Sequence, residues 1–150
     1  MATNDRAPYS LTPTTRSLPI ALLRAREAVM EPVREMLARS HISEQKWRVL
    51  RVLAESGPLE QTAISVKACL LLPSLTRILR AMEADGQVSR VADSVDRRKS
   101  IVTITPEGLQ IIEEHSAESK AIRNTLESNF GKAELETLLD LLEKLQKTPL

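Results

Sequence analysis

The sequence predicts a mainly helical protein carrying one small two-stranded β-hairpin, with helices on either side that join two copies. Three features lead there. "EQTAISVKA" and "PSLTRILRAMEAD" are two short helical stretches in close succession, with a turn near Cys69-Leu70. "QVSRVAD" and "IVTIT" are β-like and are separated by "SVDRRKS". The last third of the chain repeats leucine at helical spacing.

Taken in order, residues 1–15 are polar, proline-containing and aperiodic, and read as a loose arm. Ser17 is an N-cap, with Pro19 in the first turn of a helix whose Ile20, Leu23, Met30, Val33 and Leu37 share a face. Pro32 lies inside that helix, so a kink or break is expected near Ala28–Glu31. Ser43 caps the next helix, Trp47, Leu50, Leu53 and Ala54 form its stripe, and Gly57-Pro58 stop it. In the second of the two short helices, Leu75, Ile78, Leu79 and Met82 follow the i, i+3, i+4, i+7 pattern and face inward. The opposite face then carries Pro73, Arg77 and Arg80, flanked by Ser74 and Thr76, with no acid before Glu83. After the hairpin, Thr105 caps and Pro106 opens a long helix with Leu109, Ile112, Ser119, Ile122, Leu126 and Phe130 on its apolar side. Gly131 ends it. The final helix lines up Leu135, Leu138, Leu139, Leu142 and Leu145, with Leu141 beside them.

The chain of 150 residues is the size of one domain, and its 42% apolar and 27% charged content is that of an ordinary globular protein. Only 2% is aromatic, so the core is aliphatic and suits packed helices better than a β-sandwich. The longest apolar run, Ala68 to Pro73, is far too short to span a membrane, and no cleavable leader is visible; a cytoplasmic protein is expected. A single cysteine, Cys69, excludes an internal disulfide; a small buried thiol in the turn is its expected state. His115 has no cysteine or carboxylate at metal-ligand spacing, so no metal and no cofactor is expected. No nucleophile–base–acid set and no glycine-rich phosphate loop is present, which argues against an enzyme.

The net charge of +1 conceals an uneven distribution. Residues 66–105 hold seven Lys/Arg against four Asp/Glu, whereas residues 106–150 hold five against nine. A hairpin tip bearing Arg97, Arg98 and Lys99, beside a helix presenting Arg77 and Arg80, is the outline of a winged helix-turn-helix that grips duplex DNA. Arginines on the helix suit guanine edges in the major groove, Ser74 and Thr76 suit phosphate or base edges, and a wing-tip arginine suits a narrow minor groove. Asp96 would repel phosphate if free, so its expected role is to hold a neighbouring arginine, Arg98 or Arg77. The competing reading is a dimeric helical interaction module that uses its acidic C-terminal helices and binds no DNA.

"DRRKSIVTITPEG" (Asp96 to Gly108) resembles the D-x-R-x-x-x-(V/L)-x-(L/I)-T-x-x-G wing signature of MarR-type regulators, the multiple-antibiotic-resistance repressor family. "RSLPIALLRARE", "SEQKWRVLRVL" and "CLLLPSLTRIL" extend the resemblance over roughly residues 17–147 and toward one branch, repressors of homoprotocatechuate-type aromatic-acid degradation operons. The resemblance implies one MarR-type domain over 1–150, with the winged helix-turn-helix at 43–105 and dimerisation helices at 16–39 and 106–147. It also implies a homodimer, a pseudo-palindromic double-stranded operator, and release of that DNA by a small aromatic acid, with a family regulator answering to an oxidant or an unrelated ligand as the alternative. The dimer layer would use Leu126, Phe130, Leu135, Leu138, Leu139, Leu142 and Leu145. An effector pocket would draw on Arg16, Ser17, Arg24, His41, Trp47 and Arg48, with arginine for the carboxylate and Trp47 for the ring. Trp47 also sits at a core position, and both roles stay open.

Overall fold

The computed structural model describes residues 9–150. Residues 1–8 of the expected arm lie outside them, and Thr14–Arg16 form a short 3-10 turn. The chain divides into two compact units, Met1–Pro32 and Val33–Leu150. In the first unit, no described residue is buried. Helix α1 (Leu18–Ala38) runs unbroken through Pro32, against the expected break. Proline removes one backbone bond, and the bonds of the turns on either side are sufficient to carry the helix on.

In the second unit, α2 (Glu44–Ser56) starts where the Ser43 hydroxyl accepts from the Lys46 N–H at 3.2 Å. Its stripe differs from the expected one by one residue: Val49 is fully buried and Ala54 is exposed. The cause is that α2 serves two apolar clusters. Val49, Leu50 and Leu53 pack with Ile64, Leu75, Leu79, Met82 and Val102. Trp47, toward the other side, packs with Met36, Leu37 and Ile42. A helix sandwiched in this way needs a wider apolar face than one seam.

β1 (Leu59–Glu60), α3 (Gln61–Ala68) and α4 (Leu72–Ala84) follow, and the axis turns through 107° between the two helices. β2 (Val88–Ala92) and β3 (Ser100–Ile104) form the hairpin, antiparallel with Val88 opposite Ile104 and Ala92 opposite Ser100. β1 adds a third strand on the far side of β3, giving the order β1-β3-β2. Two residues have no legible period, so the sequence could not announce this strand.

α5 (Pro106–Phe130) begins at a double anchor. The Thr105 hydroxyl accepts from the Gly108 N–H at 3.1 Å and donates to the Gly86 carbonyl at 2.6 Å. The cap therefore also ties α5 to the turn that leaves α4. Its inward side is rotated from the expected one: Gly108 and His115 are buried, whereas Leu109 and Phe130 are about half exposed. α6 (Lys132–Gln146) follows Gly131, and only its Leu135 is buried.

Candidate nucleic-acid interface

α4 is held by its apolar side. Leu75, Leu79 and Met82 are completely buried, each worth roughly 1.5–3 kcal/mol of transfer free energy. That fixes the rotation of the helix and leaves Pro73, Arg77 and Arg80 exposed on the opposite side, as the periodicity predicts. Neither Arg77 nor Arg80 has a side-chain partner among the described residues. Ser74 is half-buried. Thr76 is also half-buried, and its hydroxyl is engaged: it donates to the Leu72 carbonyl at 3.0 Å and accepts from the Gln61 amide at 2.5 Å.

The wing tip is ordered by its acids. Asp96 Oδ1 accepts from the backbone N–H of Arg98 at 3.0 Å and from its Nε at 3.2 Å. Of the two partners expected for Asp96, the structure brings Arg98. Asp93 Oδ1 accepts from the Val95 N–H at 3.1 Å, and the Asp93 N–H donates to the Lys99 carbonyl at 2.9 Å. Lys99 Nζ stands 3.5 Å from Glu60 Oε1, which anchors the far side of the turn to β1. Arg97 is exposed and has no side-chain partner among the described residues.

Arg97, Arg98 and Lys99 line one open cleft of about 300 Å³ together with Arg90 of β2 and Glu83 of α4. Arg90 Nε lies 2.8 Å from Glu83 Oε2. Glu83, the acid that lines this cleft, is thereby neutralised by a wing residue; Arg98 and Lys99 share their charge with Asp96 and Glu60, and Arg97 keeps its own. Such a surface attracts a polyanion.

The turn between α3 and α4 departs from expectation at Cys69. Its thiol is exposed, not buried, because residue 69 is the αL cap of α3, with φ 53° and its side chain outside the packed angle. Arg48 holds this turn: its Nη1 donates to the carbonyls of Ala68 and Cys69 at 2.8 and 3.1 Å. Those carbonyls have no acceptor duty within the helix, so a cation at the helix end satisfies them and its dipole together. The sequence points to Arg48 for an effector carboxylate; here its Nη1 serves the helix-turn-helix, while its Nε is buried without a hydrogen-bond partner among the described residues.

Of the other effector candidates, Trp47 is buried and His41 is exposed with φ 55°. Arg16, Ser17 and Arg24 belong to the first unit, with both arginines exposed and Ser17 half-buried. Apolar periodicity alone misses His115, which is buried with its ring 5.6 Å from that of Trp47. Its Nδ1 donates to the Ile111 carbonyl at 2.8 Å, and Nε2 lies 3.0 Å from the Ser40 hydroxyl. A polar residue is discounted when only apolar positions are counted. The spacing of His115 four residues after Ile111 is the signal that could have found it.

The leucines assigned to dimerisation divide. Leu135 is buried within the chain, Leu126, Leu142 and Leu145 are half-buried, and Leu138, Leu139 and Phe130 remain 39–50% exposed. Leu141 adds to that exposed apolar face. Patches of this kind on a small protein mark an interface.

Two short helices meeting at a sharp turn, the second cationic outside and flanked by a cationic hairpin, define a winged helix-turn-helix protein. Within that class the chain belongs to the MarR family, whose model matches residues 42–100. It is 38% identical to the homoprotocatechuate degradative operon repressor of Escherichia coli over 128 residues, 85% of this chain and 86% of that one. Among solved structures, NadR in complex with 4-hydroxyphenylacetate is 35% identical with a TM-score of 0.81, covering 94% of this chain and all of its own. The repressor CouR, bound to a 23-mer DNA duplex, is 25% identical with a TM-score of 0.75, covering 88% and 94%. Among the described residues, no single helix is long and apolar enough to cross a membrane.

Proposed function

We propose that the protein is a cytoplasmic homodimeric repressor of an aromatic-acid degradation operon, releasing its operator when a small aromatic acid binds. The observation that carries this reading is the cleft in which three wing-tip cations stand beside α4, with its lining acid Glu83 paired to Arg90 and with Arg97 free of any acidic partner among the described residues. α4 enters a major groove, where Arg77 reads a base edge and Ser74 and Arg80 meet backbone or base. Arg97, Arg98 and Lys99 follow the adjacent strand and minor groove. A second copy covers the exposed leucines of α6, and the pseudo-twofold operator matches the twofold of the dimer. Trp47, with His115 beside it, supplies the aromatic wall for an effector ring; the roles of Arg16, Ser17, Arg24 and His41 rest on family resemblance alone.

The mechanism is a population shift. The acid prefers a dimer whose two α4 helices are spaced wrongly for successive major grooves, and DNA prefers the other. The test is fluorescence anisotropy on a duplex that the protein itself selects from a random pool. Binding is expected to fall steeply with salt, as counterion release requires. 4-Hydroxyphenylacetate is expected to weaken it and to raise the melting temperature of the free protein, with benzoates and hydroxycinnamates as comparison acids. Selection of no duplex would end the repressor reading; selection with no response to any of the acids would end the effector assignment.

Asp96→Ala separates two opposed effects. It removes a negative charge from a DNA-facing loop, which favours binding, and it frees Arg98 and its turn, which opposes it. Arg98 is almost fully solvated, so the ion pair itself is worth little, and the backbone bond to Asp96 contributes more, about 1 kcal/mol. We expect affinity for the selected duplex to fall roughly fivefold, in spite of the added positive charge. Tighter binding of the variant in the same titration would show that Asp96 acts only as a repulsive charge.

A further inference from the structure

We infer that Gln61 is a positioning residue that locks the wing to the recognition helix α4, so that both meet one duplex at once. This role rests on the DNA-binding reading above, and Gln61 itself lies outside the DNA contacts. In register, Leu59 faces Val102 and Glu60 faces Ile101, so the next position along β1 would place Gln61 opposite Ser100. Gln61 is instead the first residue of α3, and its side chain spans three elements. Ser100 Oγ, at the start of β3, donates to Gln61 Oε1 at 3.4 Å. Gln61 Nε2 donates to Thr76 Oγ1 at 2.5 Å, and Thr76 Oγ1 passes the chain on to the Leu72 carbonyl at 3.0 Å. An unbroken run of hydrogen bonds therefore joins the outer end of the wing, next to its tip, to the first turn of α4. All three side chains are half-buried, which shields these bonds from competing water.

The core fixes the inner half of the wing to α4, where Val88 and Val102 pack with Leu75, Leu79 and Met82, and polar contacts hold its outer half. At the opposite end of α4, the connection to β2 passes through Asp85-Gly86-Gln87, with Gly86 at φ 73°, and one exposed ion pair, Arg90–Glu83, spans it. Without the Gln61 bridge, the outer half of the wing, held by the exposed Lys99–Glu60 and Arg90–Glu83 pairs and the short β1–β3 pairing, could shift against α4 while the core stays intact. Two groups that must engage the same ligand lose affinity when their relative geometry loosens, even if each contact survives. Gln61 thus acts on DNA through Thr76 and Ser100. It also gives Thr76 a duty inside the protein, beside the DNA contact expected from its place on the helix.

The experiment uses Gln61→Met, which keeps the length and removes both bonds, and Ser100→Ala, which cuts only the wing end. The full-length chain is titrated against the duplex it selects from a random pool and against a shuffled duplex of the same composition. Each bridge variant is expected to bind the selected duplex roughly tenfold more weakly, with the shuffled duplex affected less than about twofold. The double variant is expected to lose no more than either single one, because the bridge fails as a unit. The decisive readout is the cost of Arg97→Ala, which is expected to be at least about threefold smaller in the Gln61→Met background than in the parent. A simple loss of stability would lower both affinities together and leave that cost unchanged, and would overturn the inference. So would binding of the selected duplex by both variants as tightly as the parent. A parent chain that selects no duplex would overturn the DNA-binding reading itself.

Discussion

Replacing Arg77 by alanine is expected to weaken binding of a selected duplex by roughly ten- to a hundredfold per half-site and to relax base preference at one position in each. Arg77 is exposed on the side of α4 opposite the buried Leu75, Leu79 and Met82, and no carboxylate among the described residues holds it. Its guanidinium is free to present two parallel donors to a guanine edge, a pairing that a lysine cannot copy. Arg80 lies one turn on, nearer the Glu83 end of the helix, and its loss is expected to cost less and to leave sequence preference alone. The check is a titration of each variant against a panel of single-base changes. Loss spread evenly over the panel would make Arg77 a backbone contact; no loss at all would remove it from the interface.

Gly108→Ala is expected to destabilise the protein by about 1–3 kcal/mol, lowering the melting temperature by roughly 2–12 °C, although alanine is the better helix former. Helix propensity alone would give a gain of about 1 kcal/mol for the same change. Packing decides the sign. A Cβ at residue 108 would overlap the Gln87 carbonyl oxygen and stand 2.7 Å from Ile104 Cγ1 and 3.2 Å from Leu50 Cδ2. The first is backbone, held in place as the acceptor of the Thr105 N–H at 3.1 Å, and cannot rotate away as a side chain would. Glycine here lets α5 start directly against the end of α4 and the base of the wing. Thermal unfolding of the variant measures it; an unchanged or higher midpoint would mean that the helix start has room to move.

The parts of this architecture that sequence displays well are those with a period or a punctuation mark. The inward stripe of α4, the Thr105–Pro106 start of α5 and the Ser43 cap of α2 each rest on residues whose chemistry is local. The wing is legible because its cations, its strand and the helix cap after it occur in one short run. What stays hidden depends on contacts distant in the chain. Gln61 meets partners 15 and 39 residues away, and nothing in "LEQTA" marks it as a bridge. Arg48 reaches 20 residues ahead to close a helix end, so a carboxylate-binding role and a capping role look alike in the sequence. His115 is masked by its polarity, and the turn position of Cys69 looks buried until its αL geometry is seen. The cations of α4 and the wing can be picked out residue by residue, whereas the bonds that orient them cannot.

α4 and the wing grip a single duplex together in this reading. Photocrosslinkers placed singly at positions 77 and 97, reacted with a selected duplex and mapped by base, address that joint grip directly. Crosslinks are expected from 77 to bases inside a half-site and from 97 to the strand flanking that same half-site, both suppressed by an effector acid. Crosslinking from only one of the two positions, or at sites unrelated in register, would contradict it.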